Sequence, residues 1–220
     1  MTALTDFINY IIAFIPQVLQ ALVITLQVFG GTLILSLPLG IVVAMCRLSK
    51  FKPLSALMNS YILIMRGTPL LLQIIFFYFG FGAIKIPIPR MPAVLLAFVL
   101  NYAAYFAEIF RAGISSIDKG QYEGAEVLGL SSKDTFFRII LPQAFKRVLP
   151  PVGNEIITLV KDTALVNIVG FNDLMKLGKG ACNRDASLVP LIVIGVVYLV
   201  IVCVLTAIMN RVEKNYNYYQ

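Results

Sequence analysis

The sequence contains no histidine, which excludes histidine-based metal sites and histidine acid–base chemistry. Its three cysteines, Cys46, Cys182 and Cys203, are odd in number and widely spaced, and imply neither a disulfide framework nor a metal site. Charge is scarce as well: 13% of residues are charged against 59% hydrophobic, and mean hydropathy is +0.87. Such a balance identifies an integral membrane protein. The net charge of +7 then records basic residues kept on the cytoplasmic side rather than a nucleic-acid surface. There is no GxxxxGK[ST] phosphate loop, so the chain cannot hold ATP in that manner, and neither cofactor nor metal is expected on it. Paired carboxylates with a metal-binding run, a Cys/His dyad and a nucleophile elbow are all missing, which leaves a lipid-acting enzyme without its chemistry. No repeat, low-complexity tract or soluble insertion interrupts the chain, and residues 1–220 read as one membrane domain.

What is present is a series of long apolar runs. About 20 such residues cross a bilayer, and five spans are expected: Val18–Cys46, Leu54–Phe81, Met91–Ile114, Val152–Val169 and Leu188–Met209. Before them, MTALTDFINYIIAFIPQ carries Asp6 but no Lys or Arg, and so lacks the basic region of a signal peptide. Phe7, Ile11 and Phe14 share a helical face there. Residues 1–16 are either an outer interfacial helix separated by Pro16 or the start of a long, tilted first span. Eleven basic residues fall on one side of the membrane: Arg47, Lys50, Lys52, Arg111, Lys119, Lys133, Arg138, Lys146, Arg147, Arg211 and Lys214. Five fall on the other: Lys85, Arg90, Lys176, Lys179 and Arg184. The asymmetry places the N-terminus outside and the C-terminus in the cytoplasm. The aromatic tail NYNYYQ is expected to anchor at the inner interface.

Polar groups at membrane depth need a partner or a watery cavity. In the second span, Arg66-Gly67-Thr68-Pro69 interrupts the apolar run. Pro69 cannot donate to the carbonyl of Met65, so that carbonyl is freed. A helix broken there either exposes backbone to a solute or serves packing alone. In the third span, Asn101, Tyr105, Glu108 and Arg111 form a stripe in which Glu108 pairs with Arg111 or reaches Arg66. In the fourth, Asn154, Thr158 and Lys161 share one face, while Glu155, Thr158 and Asp162 share its neighbour. So many polar side chains cannot all face lipid, and this cluster is expected to line a pathway.

The longest polar stretch is DKGQYEGAEVLGLSSKDTFFRIILP, Asp118–Pro142. Asp118 caps a helix with Gln121 returning the bond, and the helix stops at Gly129. Ser131 or Ser132 caps a second helix that runs to Pro142. Tyr122, Ala125 and Gly129 make a smooth ridge suited to docking. Glu123 and Glu126 would be repelled by anionic headgroups, which disfavours a helix lying on lipid.

Glu123-Gly124-Ala125, then Gly129, then Ile139-Ile140-Leu141-Pro142 resembles the EAA signature of permease subunits in ABC-type importers. In that family the segment is the coupling helix, seated in a groove of a separate ATPase subunit. Gly124 replaces the usual Ala and loosens the helix slightly. RGTPLLLQ, NYAAYFAEIFRAGI and LPPVGNEIITLVKDTALV extend the likeness over nearly the whole chain, to the branch that imports polar amino acids such as His, Arg, Lys, Gln or Glu. The resemblance implies an all-α integral membrane protein of the type I ABC-importer permease fold, with about five transmembrane helices and a cytoplasmic coupling helix. It also implies a homo- or heterodimer of permease subunits, two ATP-binding cassette subunits that bind ATP and Mg, an extracytoplasmic solute-binding protein, and the cell membrane as location. By resemblance, Thr68, Pro69, Asn154 and Glu155 match cavity positions, and Glu123, Ala125 and Gly129 match coupling positions.

With Tyr105, Thr158, Lys161 and Asp162 from the polar stripes, these cavity positions complete the candidate solute-binding set. A zwitterion needs an acceptor for its ammonium and donors for its carboxylate. Glu155 and Asp162 can supply the first; Lys161, Asn154, Thr68 or opened backbone can supply the second. The expected activity is alternating access driven by ATPase partners, in a subunit that is not itself an enzyme. The alternative is a secondary transporter or channel with Glu108, Glu155 or Asp162 as a proton relay.

Overall fold

The computed structural model describes residues 2–216, and every regular element among them is a helix. The tail from residue 217 and the side chain of Phe7 lie outside the described residues.

Helix α1 runs unbroken over Thr2–Arg47 with Pro16 and Pro38 inside it. Pro16 therefore does not interrupt the helix, and residues 2–16 run straight on into the apolar stretch that follows. The physical reason is burial on both flanks of the proline: Phe14, Val18 and Ala21 pack with Leu174, Ala181 and Ile194. That contact outweighs one missing backbone hydrogen bond. At 1.5 Å per residue the helix is on the order of 70 Å long, far more than a bilayer core, so it must tilt or project.

Helix α2 (Lys52–Gly67) is followed by α3 (Leu70–Ile75), a π-helical stretch Phe76–Gly80 and a last turn, α4 (Phe81–Ala83). The two halves are bent by 103° at Thr68–Pro69. Helix α5 (Arg90–Ser115) is the central strut, with Ala93, Val94, Ala97, Phe98, Ala104, Phe106 and Ala107 all buried. Its principal neighbour is α1. The two backbones approach closely because small residues meet: a Cβ on Gly40 would sit 2.8 Å from Phe106 Cβ.

Helix α6 (Lys119–Val127) and the single turn α7 (Ser132–Asp134) lead through a π-helical segment, Thr135–Ile140, into α8 (Leu141–Asp162). The expected stop at Pro142 does not occur. The N–H of Leu141 bonds back to the carbonyl of Phe136, a π-type turn that accommodates a proline with no N–H of its own. A 3-10 stretch, Thr163–Val169, ends at Gly170 with φ +86°. Asp173 then caps α9 (Leu174–Asp185) by accepting from the N–H groups of Met175 and Lys176. Helix α10 (Val189–Tyr216) is strongly apolar and mostly exposed along its length, as a lipid-facing helix should be.

Among the described residues, three helices are long and apolar enough to cross a membrane: Ile8–Arg47, Arg90–Ser115 and Val189–Tyr216; the bent Lys52–Gly67 and Leu70–Ala83 pair makes a fourth. The expected span Val152–Val169 differs. It is the second half of α8 plus the 3-10 stretch, and α8 packs against both α5 and α10.

Candidate functional site

The break between α2 and α3 is built from within. Thr68 donates its hydroxyl to the Ile64 carbonyl at 2.8 Å. The Met65 carbonyl, orphaned by Pro69, accepts from Gln73 Nε2 at 2.9 Å and from Asn101 Nδ2 at 2.8 Å. Gln73 Nε2 also donates to Thr68 Oγ1 at 2.8 Å, and Asn101 to Gln73 Oε1 at 3.1 Å. Gln73 and Asn101 are 7% and 4% exposed, so this knot is interior. The expectation that the freed carbonyl faces a solute is thereby corrected: two carboxamides consume it, because an unpaired buried carbonyl is too costly.

Beside the knot lies a cavity of about 620 Å³, within the range of small-molecule sites. One wall is the break itself, Arg66 to Leu71. The second is α5, through Asn101, Tyr102 and Tyr105, and the third is α8 with its extension, through Glu155, Thr158, Asp162 and Leu165. Thr68, Pro69, Tyr105, Glu155, Thr158 and Asp162 of the expected set are thus brought together. Asn154 and Lys161 are not; both are exposed on the flank of α8 and line no wall. Each precedes a lining residue by one position, which turns a helical side chain by about 100°. Of the two polar faces on this helix, only that of Glu155, Thr158 and Asp162 looks inward.

Tyr102 is a residue that sequence reasoning missed. It is 2% exposed, stacks at 6.4 Å on Phe98, and donates its hydroxyl to Asp162 Oδ2 at 2.8 Å. Phe98, Tyr102 and Phe106 recur every four residues and read as a core stripe; the signal was the one hydroxyl among them, which at this depth requires an acceptor. Arg66 was seen only as a possible partner for Glu108. Its guanidinium instead lies 5.1 Å from the Tyr105 ring centre. Glu108 pairs with Arg111 through two hydrogen bonds, of 2.8 and 2.5 Å.

The polar segment after α5 folds largely as its residues demand. Asp118 accepts from the Gly120 N–H at 2.7 Å, and Ser131 accepts from the Asp134 N–H at 3.1 Å. Gly129 has φ +72°, and the N–H groups of Gly129 and Leu130 return to the carbonyls of Glu126 and Ala125. Gln121 does not close a capping box; its carboxamide oxygen accepts from Gln143 at 3.1 Å. The expected free ridge is corrected too. Ala125 is 2% exposed because α6 packs against the π-helical segment. What projects is apolar: Val127 is 87% and Leu128 77% exposed, beside exposed Glu123 and open Gly124.

Known proteins resemble this chain over most of its length. Residues 36–218 match the family described as binding-protein-dependent transport system inner membrane component. The arginine transport system permease protein ArtQ of Bacillus subtilis (strain 168) is 41% identical, over 91% of this chain and 92% of that one. The L-cystine transport system permease protein TcyB of the same organism is 36% identical over 82% and 78%. A putative glutamine transport system permease protein, GlnP of Rickettsia bellii (strain RML369-C), is 35% identical over 94% and 97%. Among solved structures, an amino acid ABC transporter crystallised with histidines superposes with a TM-score of 0.88 at 32% identity, over 94% of this chain and 97% of that one. The chain belongs to the binding-protein-dependent transport system inner membrane components, the permease subunits of ABC importers, with the type I permease fold.

Proposed function

We propose that this chain is the permease subunit of an ATP-driven importer of polar amino acids, and that the cavity between the α2–α3 break, α5 and α8 is where the solute passes. The observation that carries the reading is the cavity itself: donors, acceptors and both signs of charge converge on one space of about 620 Å³ in an otherwise apolar bundle. The relatives named for arginine, cystine and glutamine transport support an amino acid as cargo.

Membership of the family implies ATP-binding subunits and a substrate-binding protein as partners. Beyond that, we place two ATPase subunits on the cytoplasmic side, holding the ATP and Mg that this chain does not bind. The α6 segment, with Glu123, Gly124, Ala125 and Gly129, couples to them. Ala125 and Gly129 fix the helix while Glu123, Val127 and Leu128 present its outer surface. A second permease subunit, identical or similar, completes the pair across a bacterial-type plasma membrane, with the N-terminus outside. The coupling segment is joined to the cavity by one covalent rod: α6 packs on the π-helical segment, which continues as α8 up to Glu155 and Asp162. Movement of the first therefore displaces the second, in keeping with alternating access.

The test is uptake by the complex reconstituted in liposomes with its ATPase and binding protein. Uptake of radiolabelled amino acid that requires internal ATP and survives collapse of the proton gradient is the expected result. Uptake driven by a proton gradient without ATP would sink the reading in favour of a secondary transporter.

A further inference from the structure

A second cavity of about 620 Å³ lies between α1 and α9 and shares no lining residue with the first. It stands at the end of the bundle away from α6. A Cβ on Gly170, just ahead of α9, would sit 3.6 Å from Arg90 Nη1 at the first turn of α5, whereas α6 follows the last turn of α5. The lining has two characters. Ala21 and Ala181, both buried, make an apolar base together with Ile24 and Leu177. Gln17, Gln20, Asn172, Lys176 and Arg184 stand exposed around it, and no carboxylate is among the lining residues. Lys176, Gly180 and Arg184 recur every four residues and so share one face of α9. Gly180 keeps the space between the two cations open, since a Cβ there would meet nothing within 4 Å. Arg184 is balanced by Asp185, which accepts two hydrogen bonds from it, of 2.7 and 3.0 Å. Lys176 donates to the Gly170 carbonyl at 3.0 Å and belongs to none of the salt bridges among the described residues. The lining therefore keeps one uncompensated positive charge.

Depth decides what can reach this groove. Arg47 closes α1 on the α6 side of the membrane, and Ile24 and Gln17 stand about 35 and 45 Å back along the helix axis. A bilayer measures about 30 Å across its hydrocarbon and about 40–45 Å with its headgroups, so the groove falls in the headgroup layer of the far leaflet. Leu19, Val23 and Leu26 are exposed along the same helix and offer acyl chains a surface beside it. We infer that the groove holds the headgroup of an anionic phospholipid, with its phosphate against Lys176 and Arg184 and its headgroup hydroxyls on Gln17, Gln20 and Asn172. Ammonium and guanidinium groups donate charge-assisted bonds to phosphate oxygens, and the carboxamides can donate or accept as hydroxyls require. A choline lipid brings a second, cationic group that finds no carboxylate in the lining, so the lipid selected is one of net negative charge. An apolar base at this depth suits the start of a lipid's glycerol and chains better than a free aqueous anion.

The experiment titrates dioleoyl phosphatidylglycerol into the delipidated permease–ATPase complex in detergent and counts bound lipids by native mass spectrometry. Dioleoyl phosphatidylcholine and glycerol phosphate are the comparison probes. Phosphatidylglycerol should bind at least about fivefold more tightly than phosphatidylcholine, and Lys176→Gln should weaken it by about fivefold, the scale of one basic residue at an anionic lipid surface. Gly180→Leu fills the groove without altering its charge, at a position with room for the new side chain, and should abolish the preference for phosphatidylglycerol while the thermal midpoint of the lipid-free complex is unchanged. Equal binding of the two lipids by the unaltered complex, which needs no variant to fold, overturns the assignment. So does a preference that survives both changes, which would put the lipid elsewhere on the complex. Glycerol phosphate that displaces the lipid at comparable concentration would make the groove an aqueous anion site, and displacement by the solute-binding protein would make it a protein contact; either result overturns the lipid assignment.

Discussion

Asn101 Nδ2 donates a 2.8 Å hydrogen bond to the main-chain carbonyl of Met65, 36 residues earlier on another helix. The bond fastens the open end of a broken helix to the central strut of the bundle. Its energetic share is bounded by the second donor, since Gln73 reaches the same carbonyl.

Asn101→Ala should therefore cost about 1 kcal/mol, and the double change Asn101→Ala with Gln73→Ala more than the sum, because only the pair strands the carbonyl. Thermal unfolding of the purified complex in detergent checks the stabilities. Uptake checks the consequence: both variants should lose transport out of proportion to stability, since the knot sets the wall that carries Arg66, Thr68 and Pro69. Additive losses would mean that the two carboxamides act independently.

Much of the break was legible in the sequence. Pro69 names the carbonyl it strands by counting back four residues, and RGTP interrupts an apolar run where nothing else could. Which side chains would satisfy that carbonyl was not legible, because Asn101 arrives from a helix whose register against α2 is decided by packing. The same holds for α8: its period showed two polar faces, but only the position of α5 and α10 decided which one looks inward. Pro16 left two readings open for a related reason. Local chemistry allows a break there, and only the burial of Phe14 and Val18 against distant segments decides that the helix continues. By contrast, α6 and its turn were nearly complete in the sequence, since Asp118, Gly129 and Ser131 act on backbone within a few residues of themselves.

At Gly113 a Cβ would fall 2.1 Å from Val148 Cγ1, where α5 crosses α8. Gly113→Ala should destabilise by about 1–3 kcal/mol through overpacking. Adding Val148→Ala should recover part of that loss, although Val148→Ala alone is destabilising. The thermal midpoints of the two singles and the double decide it, and a double variant no better than Gly113→Ala would show that the strain is not at this contact.

Gly124 and Gly129 sit five residues apart on one short element and should respond with opposite sign. A Cβ on Gly124 meets nothing within 4 Å, so Gly124→Ala gains up to about 1 kcal/mol of helix propensity. Gly129 is equally uncrowded but holds φ +72°, so Gly129→Ala should cost about 1–2 kcal/mol in backbone strain. Hydrogen exchange over residues 119–130 measures both: slower in the first variant, faster in the second.

Tyr10 donates a 2.6 Å hydrogen bond to Asp185 Oδ2, tying the early part of α1 to the end of α9. Arg184 bonds both oxygens of the same carboxylate, and these contacts push Asp185 down to about 2 from its ordinary 3.8. A depressed carboxylate stabilises the fold fully above its unfolded value and loses that contribution as pH falls through the folded one. The tie should therefore be unchanged between pH 7 and pH 5, and Tyr10→Phe should speed hydrogen exchange around residue 10 equally at both. An effect that fades by pH 5 would contradict the assignment.

Leu128 is 77% exposed just past the end of α6, an apolar side chain held out by a glycine turn in which the N–H groups of Leu128, Gly129 and Leu130 bond back to the helix. Among the described residues nothing covers this side chain, and the ATPase groove proposed above would. Leu128→Glu should leave the fold and membrane insertion intact, since the side chain touches no core, while uptake falls by at least about tenfold, the scale of losing one buried anchor in an interface. Glu123→Lys, also on the exposed side of α6, should uncouple in the same way: ATP is still hydrolysed but solute no longer moves. The measurement is the ratio of amino acid taken up to ATP hydrolysed by the reconstituted complex. Normal uptake in both variants would remove α6 from the path by which energy reaches Glu155 and Asp162, and the rod of α8 would then need another handle.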